Sequence, residues 1–179
     1  MDAIAKDRWL EASAVPGGTP PLSDEQVTHW RERGHTFVAD LLPARLIETL
    51  TTSVTDAVPA AGSDAAERVT SFGSKLQFPS NLAGFNELTL HPALLEAIAQ
   101  LLDTAVTDLR LTQSTAWPKY GRRTRAGGRQ DNQDQRIHVD YPNHTLVHPP
   151  EWHRPEAVEV IVYLGDVEHT GGPTAVVPR

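Results

Sequence analysis

The 179-residue chain contains no cysteine. Disulfides and thiolate metal sites are therefore excluded within it, and a metal ion would need ligands from His, Asp or Glu, which favour iron, manganese or zinc. No apolar run approaches the roughly 20 residues that cross a bilayer. The N-terminus also lacks the basic-then-apolar layout of a secretion signal. These absences predict a cytoplasmic protein with no membrane partner.

Basic residues are also few: the chain has 16 Lys and Arg residues and 23 Asp and Glu residues, which gives a formal net charge of -7. Non-specific binding to nucleic acid requires a concentrated basic surface, so we expect no nucleic-acid partner. Several arginines do cluster in a polar, Gly-rich stretch over residues 119–136, which is predicted to be a loop. Such a run is usually solvated, although it could attract an acidic substrate.

The first predicted helix has a clear start and a clear end. Ser23 followed by Gln26 three residues later is the pattern of a capping box. Gly34 is suited to the left-handed conformation that ends many helices. The sequence therefore predicts a helix over residues 24–33.

Apolar residues at helical spacing predict two further helices, over residues 43–58 and 92–102. Between them, the small and polar residues 60–66 predict a loop. Residues 69–85 show no clear periodicity and are expected to form a loop with short extended pieces.

Strands are predicted mainly in the second half of the chain, over residues 35–38, 109–117, 137–141, 157–164 and 174–177. Helices that come first and strands that come later indicate an α+β domain with a mostly antiparallel sheet. We expect residues 1–21 to form an N-terminal arm and residues 22–179 to belong to one domain.

The pattern His138-Val139-Asp140 is the strongest candidate for chemistry. Residues two apart on a strand point to the same face, so the imidazole and the carboxylate could reach one metal ion. Two His and one carboxylate form the facial triad of non-haem iron oxygenases. Taken alone, the pattern is equally explained by a solvated strand face or by a hydrogen-bonded pair.

Separated segments of the chain, in the same order, resemble the phytanoyl-CoA dioxygenase family of Fe(II)- and 2-oxoglutarate-dependent oxygenases. They are residues 22–34 with 37–43, residues 115–121, the pattern His138-Val139-Asp140, and residues 160–167 with 171–178. Together they span nearly all of the chain after residue 20.

The resemblance implies a double-stranded β-helix, or jelly-roll barrel, with the N-terminal helices packed outside. His138 and Asp140 would be iron ligands, and an Asp at position 140 implies hydroxylation of a small organic or acyl substrate with 2-oxoglutarate and O2 as cosubstrates. The family's distal His and its 2-oxoglutarate-binding Arg lie beyond residues 171–178. The barrel is therefore expected to be incomplete in this chain, and Arg179 does not correspond to that Arg.

Four further residues are predicted to bind the cofactor or cosubstrate: Gln113, Thr115, Trp152 and Lys75. Gln113 and Thr115 share one face of a predicted strand at the edge of the pocket. Each position has an ordinary structural explanation as well. Thr115 favours a strand in any case, Trp152 would serve as a loop anchor, and Lys75 as a solvated lysine.

Two alternative functions stay open. The chain could be a truncated, catalytically inactive fragment that acts at most as a binding or interaction module. It could also be a cupin-like zinc or manganese hydrolase or isomerase, which would need no 2-oxoglutarate and consume no O2. The later histidines are poorly placed to supply a third iron ligand: His144, His148, His153 and His169.

Overall fold

The computed structural model describes residues 19–69, 76–120, 123–124, 130–131, 138, 156–165, 167 and 174–178. Most of the predicted arm and of the predicted strand over residues 137–141 lie outside these residues. So does most of the Arg-rich stretch over residues 119–136, apart from residues 119–120 and two short strand pieces.

Helices make up most of the regular structure among the described residues. They are α1 (Asp24–Arg33), α2 (Ala44–Ala57), α3 (Asp64–Glu67), α4 (Ala83–Thr89) and α5 (Pro92–Leu102), followed by a 3-10 turn (Val106–Asp108). Short strands are β1 (Leu76–Gln77), β2 (Thr115–Ala116), β3 (Arg123–Thr124) and β4 (Gln130–Asp131). None of the helices in this part of the chain combines the length and the apolar character needed to cross a bilayer.

Helix α1 confirms the predicted start and end. The Ser23 hydroxyl accepts a hydrogen bond from the backbone N–H of Gln26 at 3.2 Å, and the Gln26 side chain accepts one from the backbone N–H of Ser23 at 2.9 Å. Gly34 adopts φ 80° and donates its N–H to the Trp30 carbonyl at 2.8 Å. Both ends of the helix are thus satisfied by local polar groups.

The other two predicted helices are confirmed as well. Helix α2 begins one residue after Pro43 and ends one residue before Val58. Helix α5 covers residues 92–102, with Pro92 in its first turn, where the missing N–H costs no hydrogen bond.

A first apolar cluster, the α1–α5 cluster, joins the start of the domain to α5. Its buried members are Leu22, Val27, Trp30, Ala97 and Leu101. The Gln100 amide fastens this contact, because it donates to the Leu22 carbonyl at 2.8 Å and accepts from the Leu22 N–H at 3.1 Å. One side chain therefore satisfies both backbone polar groups of a nearly fully buried residue.

A second apolar cluster, the Leu50 cluster, joins α2 to α4 and to three extended segments. Leu50, Phe85 and Leu88 are buried at its centre. Half-buried residues pack around them: Leu42, Ile47, Val54, Leu76, Phe78, Leu82, Ala116, Val162 and Leu164. Residues from β1, β2 and the segment 162–164 thus share one core with the helices.

The structure corrects the predicted loops at two places, where short helices form. Ser63 accepts a hydrogen bond from the Ala66 N–H at 3.1 Å and so caps α3 within the predicted loop 60–66. Helix α4 begins at residue 83, inside a stretch predicted to be loop and extended pieces. Seven residues are too few to show an apolar period, and the burial of Phe85 and Leu88 stabilises the helix instead.

The strand predictions are only partly confirmed. Of residues 109–117, only Thr115 and Ala116 pair in a ladder, opposite Gln77 and Leu76. Within the predicted loop 119–136, β3 pairs with β4.

Three other predicted strands carry no ladder in the described part of the chain: residues 35–38, 157–164 and 174–177. For residues 35–38 there is a local reason. The carbonyls of His35 and Phe37 are hydrogen-bonded to side chains of α1, namely His29 at 2.8 Å and Gln26 at 3.4 Å. The jelly-roll barrel as a whole stays a prediction.

Substitution of two glycines by alanine tests the packing of the Leu50 cluster. The two changes in the free energy of unfolding should have opposite signs. A Cβ at Gly84, in α4, would lie 3.9 Å from Leu50 Cδ1, an ordinary van der Waals contact. Because Ala also has the higher helix propensity, Gly84→Ala should raise the free energy of unfolding by about 0.5–1 kcal/mol in chemical denaturation.

Gly62→Ala is the matched control. Gly62 has φ 78° and no atom within 4 Å of an added Cβ, so the substitution adds strain without a contact. It should lower the free energy of unfolding by about 1–2 kcal/mol. A destabilised Gly84→Ala protein would contradict the described packing of α4 on α2.

Candidate metal and cosubstrate site

His138 is the one member of the predicted metal pair that the structure describes, and its side chain is exposed. Asp140 lies outside the described residues, as do Trp152 and Lys75. The structure therefore gives no distance between His138 and Asp140. It does describe β2 and the segments 156–165 and 174–178, which the predicted barrel would place beside them.

Strand β2 turns one face to the helices and the other away from them. Ala116 and its partner Leu76 pack in the Leu50 cluster. The Ser114 hydroxyl lies 2.8 Å from that of Thr89, which is buried on α4 and donates to the Phe85 carbonyl. Because successive residues of a strand alternate in direction, Thr115 and its cross-strand partner Gln77 lie on the opposite face.

The predicted cosubstrate residues of this strand fit that arrangement. Thr115 is half-buried on the face directed away from the Leu50 cluster, and Gln113, two residues earlier, is exposed. Neither residue packs in the Leu50 cluster. Polar groups such as these are the kind that fix the orientation of a ligand where they border a pocket.

A second extended segment lies on the same core. Val162 and Leu164 pack in the Leu50 cluster, whereas the intervening Tyr163 and the preceding Ile161 are 39% and 50% exposed. This alternation is that of a strand with one face on the helices. Side chains of residues 161–164 thus alternate between the core and the opposite side, as expected for the predicted strand. Its hydrogen-bonded ladder is not seen among the described residues.

One helix side chain holds this segment in place. The Thr51 hydroxyl is 3.0 Å from the Leu164 carbonyl and 2.7 Å from the Ile47 carbonyl. A hydroxyl has one proton, so the two carbonyls share it. The contact joins α2 to a residue 113 positions later in the chain.

Thr51 is not among the site residues predicted from the sequence, although its position in α2 carries a signal. Thr51 lies four residues after Ile47 and one after Leu50, so it falls on the apolar side of α2. A hydroxyl on that side needs a hydrogen-bond partner. The Ile47 carbonyl is one partner, and the Leu164 carbonyl of the segment 156–165 is the other.

A further hydrogen-bonded contact links the last two described segments. The Tyr163 hydroxyl donates to Thr174 Oγ1 at 2.7 Å and accepts from the Thr174 N–H at 2.9 Å. Val176 and Val177, just beyond, are exposed by 55% and 69%. The segment 174–178 is thereby attached to the outer face of the segment 156–165.

No group of three His, Cys, Asp or Glu side chains that could hold a metal ion occurs within the described residues. A site at His138 would therefore draw its other ligands from elsewhere in the chain or from outside it, with Asp140 as the predicted neighbour. The donor chemistry of His138 and Asp140, one imidazole and one carboxylate, suits Fe(II).

Comparison of the chain with models of protein families, with curated proteins and with solved structures gave no match. The resemblance to the phytanoyl-CoA dioxygenase family therefore stays a prediction that depends on the residues quoted above.

Thr51 and Thr52 form a matched pair for testing how the segment 156–165 is held. Both hydroxyls donate to the carbonyl four residues earlier, but only that of Thr51 also contacts Leu164. Thr51→Val should lower the free energy of unfolding by about 1 kcal/mol, because the Leu164 carbonyl loses its partner.

Thr52→Val should change the free energy of unfolding by less than about 0.5 kcal/mol, since Thr52 is exposed. Both variants would be compared in urea denaturation. Equal effects of the two substitutions would mean that the contact with Leu164 adds nothing to stability.

Proposed function

We propose that this chain functions as an Fe(II)- and 2-oxoglutarate-dependent dioxygenase that hydroxylates a small organic or acyl substrate. The observation that carries the proposal is the pattern His138-Val139-Asp140, set among segments that resemble the phytanoyl-CoA dioxygenase family in the same order. Its location is proposed as cytoplasmic.

The described scaffold supports this proposal in two respects. Helices lie on one side of β2 and of the segment 162–164, as expected for helices that cover the outside of a barrel. The opposite face of β2 carries Thr115, one of the predicted cosubstrate residues.

In the proposed site, His138 and Asp140 bind the metal ion. Gln113, Thr115, Trp152 and Lys75 bind or enclose the cosubstrate. Polar side chains on a strand that is fixed by a packed core can orient a small dicarboxylate without moving. The chain's own contribution is thus to orient the reactants and to select the carbon that is attacked.

Bound Fe(II), with 2-oxoglutarate and O2, would supply the oxidation. In balanced form, a substrate C–H bond becomes C–OH with one oxygen atom of O2, and 2-oxoglutarate takes the other as it loses CO2 and becomes succinate. No further oxidant or reductant is required.

An anaerobic titration of the chain with Fe(II) and 2-oxoglutarate tests the proposal. We expect a visible metal-to-ligand absorption band that saturates with 2-oxoglutarate. His138→Ala and Asp140→Ala should each abolish the band, because each removes a metal ligand.

His153→Ala is the matched control and should keep the band, since His153 is not assigned as a ligand. Circular dichroism of each variant would establish that it is folded. Folded wild-type protein that gives no 2-oxoglutarate-dependent band would contradict the proposed activity of this chain and favour the truncated, catalytically inactive fragment.

A further inference from the structure

The end of α1 brings into contact two histidines that are not among the proposed iron ligands. Gly34, with φ 80°, turns the chain back along the helix that it ends. His35 thereby comes beside His29, and their ring centres lie 4.9 Å apart with the ring planes at 82°. His29 is exposed and His35 is half-buried.

Hydrogen bonds fix the tautomer of both imidazoles. His29 Nδ1 is 2.8 Å from the His35 carbonyl, and His35 Nδ1 is 3.3 Å from the Arg33 carbonyl. A carbonyl oxygen can only accept, so each Nδ1 carries the proton and donates it. In the neutral rings, the lone pair is therefore on Nε2.

This pattern is the one that metal-binding histidines show. A ligating imidazole commonly donates its second N–H to a backbone carbonyl, which fixes the ring and raises its basicity as a ligand. Here backbone carbonyls already hold both rings in that way.

The separation of the rings agrees with binding to one ion. A Zn–N bond of about 2.0–2.1 Å places a ring centre about 3.2 Å from the metal. Two such rings at angles of about 90–109° around the metal have centres about 4.5–5.2 Å apart. The observed 4.9 Å lies within that range.

We propose that His29 and His35 form a surface site for a divalent transition-metal ion of the zinc, nickel and copper class. Imidazole suits these ions. Within the described residues no group of three His, Cys, Asp or Glu side chains that could hold a metal ion occurs. In the proposed site the two imidazoles are the protein ligands, and water fills the other positions. Because one ligand is on α1 and the other follows Gly34, a bound ion fastens residues 35–38 to the helix.

Isothermal titration of the full chain with Zn²⁺ at mildly alkaline pH tests this site. His29→Gln and His35→Gln should each weaken one binding step by about tenfold or more. The double variant should bind Zn²⁺ no more weakly than either single variant, because the chelate is lost as soon as one of the two ligands is removed. His138→Ala, which removes a ligand of the separate proposed iron site, should keep this step.

Either single variant with the wild-type affinity would overturn the proposal. So would additive losses in the double variant, since they indicate two independent surface histidines or a packing contact between rings. If a variant fails to fold, nitrogen NMR of the wild-type imidazoles decides instead. The Nε2 resonances of His29 and His35 should shift together on addition of Zn²⁺, and their invariance would refute the site.

Discussion

The burial of Leu50 is the interaction on which most of the described structure depends. Leu50 is 0% exposed, and its removal from water is worth about 1.5–3 kcal/mol. Its neighbours come from α2, α4, β1, β2 and the segment 162–164, which are far apart in sequence. Because no strand in the described residues has more than two paired residues, this core rather than a long ladder aligns the extended segments.

Hydrogen bonds then fix the positions of the extended segments that pack on the apolar core. The hydroxyls of Thr89 and Ser114 hold β2 against α4, and that of Thr51 holds Leu164 against α2. Each contact is a single hydrogen bond worth about 1 kcal/mol. It is therefore too weak to make a segment fold, but it can determine which residues of the segment lie against the helix. The proposed function requires such fixed register, since Thr115 faces away from the core only while Ala116 remains in it.

The sequence alone predicts the features that have local causes. The capping box at Ser23, the stop at Gly34 and the Pro92 start of α5 are all encoded within a few residues. Helix α4 could not be predicted in this way, because its stability comes from packing on Leu50. The strand pairing of Ala116 with Leu76 is likewise non-local. For the site, the direction of Thr115 follows from strand alternation. The contact of Thr51 with the Leu164 carbonyl, 113 positions later, exists only in the folded chain.

Methyl NMR spectra of Leu50→Val and Leu101→Val proteins test the central role of Leu50 most directly. Each substitution removes one buried methylene, at a cost of about 1 kcal/mol that should leave the chain folded. Leu50→Val should shift the methyl signals of Val162 and Leu164 and leave that of Val27 in place. Leu101→Val, in the α1–α5 cluster, should do the reverse. Unchanged Val162 and Leu164 signals in the Leu50→Val protein would contradict a shared core.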